Sequence, residues 1–469
     1  MDTLANAIQL PTARERTSHA TDDVFAKLRG QSLIDTLRGR RARRFARGMR
    51  HDHGPLRYAS EQAPLPLCET ELAALAFAAC GVTGPALAEL VYRPGWGGTM
   101  MAGLLGRTAS SADAVQSVSV VVTNDEGTYL LKRPQDFAPA EIPSVLELTR
   151  QGRLLELYQR SRIRLSDRRA APSIEMPINL DVNRWSLYQP GTTYFLPVNE
   201  YTYMYINGLL EFFNRSMGVW VVDERRNFRP AGLQRFAKSR GGHLHDAAAA
   251  QRTLSVERLE SLLSAVVSVE QGMVLQNLGL MAHAMGLGGF PNFAAHEFAW
   301  FDALGFRMAE TSSMQYLGAR RWLRSAAQLL GKDSRMRYPL GLERDGEPIL
   351  VPYAPPYYES MREAVLAVVE RKFGARGVFR GAIDVSGYKH ADSVARAADA
   401  VDDATVEATI AYCEYLYATY GRFPVYPAAF RTGVGFQAAH LDLSFYDRYY
   451  RPEALGATQR EHMQHWHGC

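Results

Sequence analysis

The sequence predicts an α+β protein, and three stretches carry that reading. Residues 117–122 are apolar and β-branched, and Asn124-Asp125-Glu126-Gly127 turns them into a second short strand over 128–131, a hairpin pattern. Residues 254–286 are the strongest helical signal, with apolar side chains around nearly the whole circumference. Helix-forming stretches stand near both ends, over 21–37, 361–373 and 403–420. At 469 residues the chain exceeds one ordinary core, which predicts two or more domains. With 47% hydrophobic and 22% charged residues it is neither fibrous nor disordered. A formal net charge of +4 is too weak to argue for nucleic acid or a membrane surface as partner.

The elements follow in order. Thr21-Asp22-Asp23 opens the first helix with a capping hydroxyl and two acids at the positive end of its dipole. A break is expected near Gly30, and the helix meets the basic run Arg38-Gly39-Arg40-Arg41-Ala42-Arg43-Arg44. A second helix starts at Cys68-Glu69-Thr70-Glu71 and runs to Gly81, with Cys68 where a capping box usually holds Ser or Thr. Ser144-Val145-Leu146-Glu147 is another capping box, predicting a helix to about Tyr158. Residues 165–200 hold several prolines and little periodicity, and 223–252 read as loop.

Between them, Tyr194, Tyr201, Tyr203, Tyr205, Phe212 and Phe213 suit either an aromatic cover over a flat ligand or plain core packing, the more economical reading. The long helix is expected to split near Val269 and to stop at Gly286, Gly288 and Gly289. A helix apolar all round is buried, centrally or between subunits. Cys68, Cys80, Cys413 and Cys469 show no paired spacing, which fits a reducing cytoplasm. Residues 1–20 show no secretory signal, and polar groups such as Glu270, Asn277 and His283 interrupt the longest apolar stretch, so no membrane span is expected.

Four separated segments resemble one family. Arg40-Arg41-Ala42-Arg43-Arg44-Phe45 is similar to an Arg-Arg-Ser-x-Arg-x-Phe stretch, and Pro66 to Gly84 to the helix before a Gly-x-Thr-Gly. Arg107-Thr108-Ala109-Ser110-Ser111-Ala112-Asp113 looks like the loop before the first long strand, and Gln276 to Gly289 like the long helix ending in Gly-Leu-Gly. In this order they resemble the FMN-dependent nitroreductase-like superfamily, in particular its azoline and peptide oxidase branch. The resemblance implies a central, mainly antiparallel sheet flanked by helices, with the long helix buried at the centre. It places an FMN-binding domain over 25–357, after an N-terminal segment 1–24, with an insertion near 133–253. Residues 358–469 become a C-terminal helical extension.

What the resemblance implies for the site has a physical counterpart. A phosphate dianion is well met by guanidinium forks, so Arg40, Arg41 and Arg43 are phosphate candidates, against the plain alternative of a basic helix end. Arg107, Ser111 and Asp113 fall where the family's loop faces the flavin ring and ribityl chain. Gly288, Gly289, Phe290 and Pro291 match the segment passing over the flavin face, where glycine permits close approach. Arg41, Asp113 and Asn292-Phe293 depart from the family pattern, which has Ser, Gly or Asn, and an acid there.

The implied function is an oxidoreductase passing hydride between FMN and a small aromatic or peptide-derived substrate, with a nicotinamide donor as a candidate partner and a homodimer as the assembly. No catalytic residue is assigned. The departures motivate an alternative, a binding or scaffold protein that kept the fold and lost redox turnover. A third reading is a metal-dependent enzyme using His440, Asp442, Asp447, His462, His465, His467 and Cys469. Their spacing matches no compact motif, so no metal ligand is assigned. The stretch from Phe430 to Asp447 is expected to fold back on the main domain or its partner subunit and bury Phe436, Phe445 and Tyr446, with His440 and Asp442 as candidates for the substrate side of the cofactor against the more economical reading of plain packing.

Overall fold

Seven strands form a central antiparallel sheet in this computed structural model, which describes residues 21–90, 100–175, 178–293, 297–381, 385–398 and 400–467. In chain order they are β1 (Val118–Asn124), β2 (Gly127–Leu131), β3 (Arg162–Ser166), β4 (Thr193–Glu200), β5 (Gly288–Asn292), β6 (Phe430–Arg431) and β7 (Gly435–Ala439). Their order across the sheet is β5-β7-β4-β1-β2-β3, with β6 also pairing β4. The expected hairpin is β1–β2, joined at Asn124 and Gly127. The protein is a mixed helix and sheet structure, as the sequence predicts.

The strands show the two-residue alternation of a sheet covered on both faces. Val118, Val120 and Val122 of β1, with Phe195 of β4 and Phe436 of β7, pack against helices α3 (Glu69–Cys80) and α7 (Val256–Met285). Val121, Tyr194, Leu196 and Val198 face the opposite way, against Trp300, Phe301 and Phe430. A smaller three-stranded sheet, Arg307–Ser312, Arg335–Arg344 and Glu347–Leu350, adjoins that second layer.

Helix α7 organises both halves of the molecule. Its stripe Leu259, Leu263 and Val267 packs with α6 (Thr202–Phe212), α8 (Met361–Phe373) and α9 (Asp403–Tyr420), whereas Val274, Leu278 and Ala282 pack on the sheet. The expected break near Val269 is absent. Ser255 caps the start by accepting from the Arg258 N–H, and Gly286 ends it at φ 87, a left-handed conformation that favours glycine. The helix is not buried all round: Leu262 and Val269 are 50% and 56% exposed. Beside it stands α2 (Leu33–Gly39), separated from α1 (Thr21–Gly30) at the predicted break, with Leu33 and Ile34 exposed as well.

One local expectation changes and another is met. The helix predicted from Ser144, α4 (Ile142–Gln151), starts instead at Ile142, with Pro143 in its first turn, and Gly152 at φ 72 ends it. The chain continues as a separate helix, α5 (Leu154–Ser161). The aromatic stretch is core, because Tyr194, Tyr201, Tyr205 and Phe213 are fully buried and Tyr205 Oη lies 2.7 Å from Tyr412 Oη.

Residues after 357 contribute β6 and β7, then α10 (Leu443–Tyr449) and α11 (Ala457–His467). Phe436, Phe445 and Tyr446 are buried there, as expected. Cys469 and residues 1–20 lie outside the described residues. No described helix is long and apolar enough to cross a membrane.

Candidate functional site

A cavity of about 590 Å³ opens between α7, the edge strand β5 and the β6–β7 connection. Three arginines line it, Arg40, Arg41 and Arg431, and no acidic side chain does so among the described residues. Arg40 and Arg41 are exposed, directly after α2. Arg41 donates to the carbonyls of Arg38 and Arg40, at 3.3 and 2.9 Å, which folds its guanidinium back over the helix end.

Helix α7 gives this cavity an unusual wall, with Gly272 and Gly279 both lining it beside Leu275 and Gln276. A glycine inside a helix costs roughly 1 kcal/mol relative to alanine, so two of them call for a reason. Packing supplies none at Gly272, where an added Cβ would meet nothing within 4 Å, and little at Gly279, where it would sit 3.7 Å from Phe436. The missing side chains leave the helix backbone bare at two points of this face, on either side of Leu275 and Gln276.

Strand alternation sorts the predicted glycine segment. Gly289 and Pro291 line the cavity with Phe293. Gly288 and Phe290 face the other way: a Cβ on Gly288 would strike Leu441, and Phe290 lies under the Arg44 guanidinium at 4.4 Å.

Arg43 also turns inward. Its Nε donates to the Ala454 carbonyl at 2.7 Å and its Nη1 lies 3.2 Å from His283 Nδ1. Burial and the neighbouring Arg43, Arg40 and Arg41 charges push the His283 imidazole down to about 4. Arg43 pairs with Gly289 in a single antiparallel bridge, which sets Arg40 and Arg41 at the mouth.

The loop residues Arg107, Ser111 and Asp113 lie apart from the cavity lining. Glu270 of α7 gathers two of them. It accepts from the Arg107 guanidinium, from Ser111 and Ser117 hydroxyls at 3.1 and 2.8 Å, and from the Val118 N–H. A buried carboxylate with this many donors is satisfied internally and ties the loop to the long helix. Asp113 adopts φ 51, the conformation a glycine would take. Burial pushes its carboxyl up, against the lowering effect of Lys372. A larger neighbouring cavity of about 690 Å³, beyond Arg43 and Arg44, is lined by Phe45, Trp185, Phe445 and Glu453.

Sequence reasoning thus found Arg40, Arg41, Gly289 and Pro291 of this lining and missed Arg431, Gly272 and Gly279. The two glycines seven apart, on one helical face, were the signal available. Of the C-terminal polar groups, Asp442 caps α10 by accepting from the Phe445 N–H, and Asp447 pairs with Arg460. His440, His462 and His467 gather around Glu71.

No family model matches the chain, and no curated protein does. Among solved structures it is similar to a protein from Ralstonia eutropha JMP134 named as a putative nitroreductase. The match covers 59% of this chain and 76% of that one, at 12% identity and a TM-score of 0.29. A likeness that faint carries no argument about chemistry, which rests on the residues themselves.

Proposed function

We propose that this chain is a nitroreductase-like, FMN-dependent oxidoreductase, passing hydride between the flavin and a small aromatic or peptide-derived substrate. The observation that carries the reading is the joining, in one cavity, of the bare backbone at Gly272 and Gly279 of α7 with Arg40, Arg41 and Arg431. A flat apolar ring system suits that bare backbone, and a phosphate dianion suits the guanidinium groups. When bound, the flavin would supply the redox chemistry. The chain's own part is to hold the phosphate through the arginines and to let the ring approach the backbone at Gly272, Gly279 and Gly289. No general acid or base is assigned.

The proposed partner is a second copy of the chain. Leu33, Ile34, Leu262 and Val269, all half exposed or more, would be covered by it. Sedimentation of the purified protein should give a dimer, and a monomer at micromolar concentration would remove this part of the proposal.

The test of the cofactor is absorbance. Purified protein is expected to be yellow and to release FMN on denaturation, and a colourless protein that takes up no added FMN would overturn the reading. One observation favours a second reading, a binding or scaffold protein without turnover: Arg43, Arg107 and Ser111 are committed to contacts within the chain. Anaerobic titration separates the two, since bound flavin that cannot be reduced and reoxidised supports the second.

A further inference from the structure

We infer that Glu71, His440, His462 and His467 form a closed structural site for a divalent transition-metal ion of the zinc class. The inference does not rest on the flavin reading. One ligand atom from each residue lies within 4.8 Å of all the others. Glu71 Oε1 is 2.9 Å from His440 Nε2, 2.8 Å from His462 Nε2 and 3.2 Å from His467 Nε2, and the His440 and His467 nitrogens are 3.2 Å apart. Four ligands about 2.0–2.1 Å from a tetrahedral ion stand roughly 3.3 Å from one another, close to this spacing.

The proton positions favour a cation over a hydrogen-bonded cluster. His440 Nδ1 lies 2.8 Å from the Leu65 carbonyl and His462 Nδ1 2.6 Å from the Met285 carbonyl. A carbonyl only accepts, so both rings carry their proton on Nδ1, and in the neutral form both Nε2 lone pairs point inward. This is the arrangement of metal-bound histidines, whose second nitrogen is fixed by a backbone or carboxylate acceptor. His462 Nε2 supplies a separate observation. It is buried and close to Glu71 Oε1, yet it is out of line for a hydrogen bond and has no other partner. In the neutral ring the lone pair there stands beside Glu71 Oε1, where the two atoms can serve one ion. Glu71 Oε2 is meanwhile held by the Cys68 N–H at 2.7 Å, leaving Oε1 for the centre.

Imidazole and carboxylate together suit zinc and its neighbours in the first transition row. The side chains of Glu71, His440, His462 and His467 are 0%, 1%, 5% and 8% exposed, so the site is closed as a structural one is. Its ligands come from the first turn of α3, the end of β7 and helix α11, so the ion would pin α11 to the core.

Full-length protein with its tag removed should carry about one zinc-class ion per chain by elemental analysis. His440→Ala and His467→Ala should each lose that metal about tenfold or more, while His465→Ala, on the same helix but outside the cluster, should retain it. Protein stripped by chelator should take up one Co²⁺, showing the visible bands of a tetrahedral site, and should melt at higher temperature with the ion than without. Stripped wild-type protein that binds neither Zn²⁺ nor Co²⁺ stoichiometrically would overturn the inference, as would undiminished metal in both ligand variants. The wild-type titration decides the matter if a variant aggregates. Metal uptake is read without flavin, so its failure is distinct from failure of the FMN reading.

Discussion

The two polar centres of this molecule share β7 and the C-terminal end of α7, yet they are built on opposite principles. The cavity at Phe436 and Gly289 is open, and Arg40 and Arg41 reach it from an exposed turn. The cluster at His440 lies four residues further along, on the order of 13 Å away for extended chain, and is sealed. In the first, charged groups face open space. In the second, Glu71, His440 and His462 are each already braced by a backbone neighbour. The contrast teaches that membership of one short motif says little about a side chain's duty. Arg40 and Arg43 belong to one short motif, and one faces solvent while the other holds the Ala454 carbonyl.

The largest expected effect is at the sealed centre. Glu71→Ala removes the acceptor for the Cys68 N–H and leaves three buried imidazoles facing one another. Urea unfolding should show a loss of about 3–5 kcal/mol, and a loss below about 1 kcal/mol would mean that the cluster is not an integrated unit.

The open centre should behave in the reverse way. Replacing Arg40 and Arg431 together by Ala should weaken FMN binding by about 1.5–3 kcal/mol for each contact, with the melting temperature of the apoprotein nearly unchanged. Arg43→Ala should instead lower apoprotein stability, because it orphans buried partners. Equal thermal shifts in the two variants would erase the distinction between the arginines.

A smaller effect sharpens the reading of the helix wall. Gly272→Ala should stabilise the apoprotein by about 0.5–1 kcal/mol, since the new methyl meets nothing, while reducing FMN affinity. If stability and affinity both rise, the bare backbone there is not a ligand surface.

A pH dependence tests the buried side of the basic motif. His283 is pushed down to about 4 in the folded state from an ordinary value of 6.5, first by burial and then by Arg43. The unfolded chain therefore binds more protons between those values. This contribution to stability is whole above pH 6.5 and is lost as pH falls toward 4. Denaturant midpoints across that range should fall more steeply for wild type than for His283→Gln, and parallel curves would rule the contribution out.

Sequence reasoning read the local features well and the distant ones poorly. The β1–β2 hairpin, the start and stop of α7 and the break at Gly30 depend on neighbours in the chain and were legible. Glu71 was legible as a capping residue, and its Oε2 does hold the Cys68 N–H. Its other oxygen meets side chains 369 to 396 positions away, a relation no local spacing could disclose. The Ser144 box misplaced a helix start because Pro143 fixes an earlier beginning, and Gly152 in the left-handed conformation ends that helix short of Tyr158. Arg431 escaped notice because nothing nearby marks it, and only the approach of β6 to α7 makes it part of the wall.

The position of β7 has a consequence for how the protein is made. It lies between β4 and β5, the strands it pairs with, but is synthesised after both, more than two hundred residues behind β4. At ribosomal speeds of about 5–20 residues per second, β4 waits roughly 10–50 s for its neighbour. During that time two strand borders remain without partners, the kind of surface that recruits other chains. Pulse-labelled nascent chains should therefore gain protease resistance in the sheet only once Ala439 has left the exit tunnel. Slowing synthesis between residues 300 and 430 should raise the aggregated fraction of a protein whose finished form is unaltered.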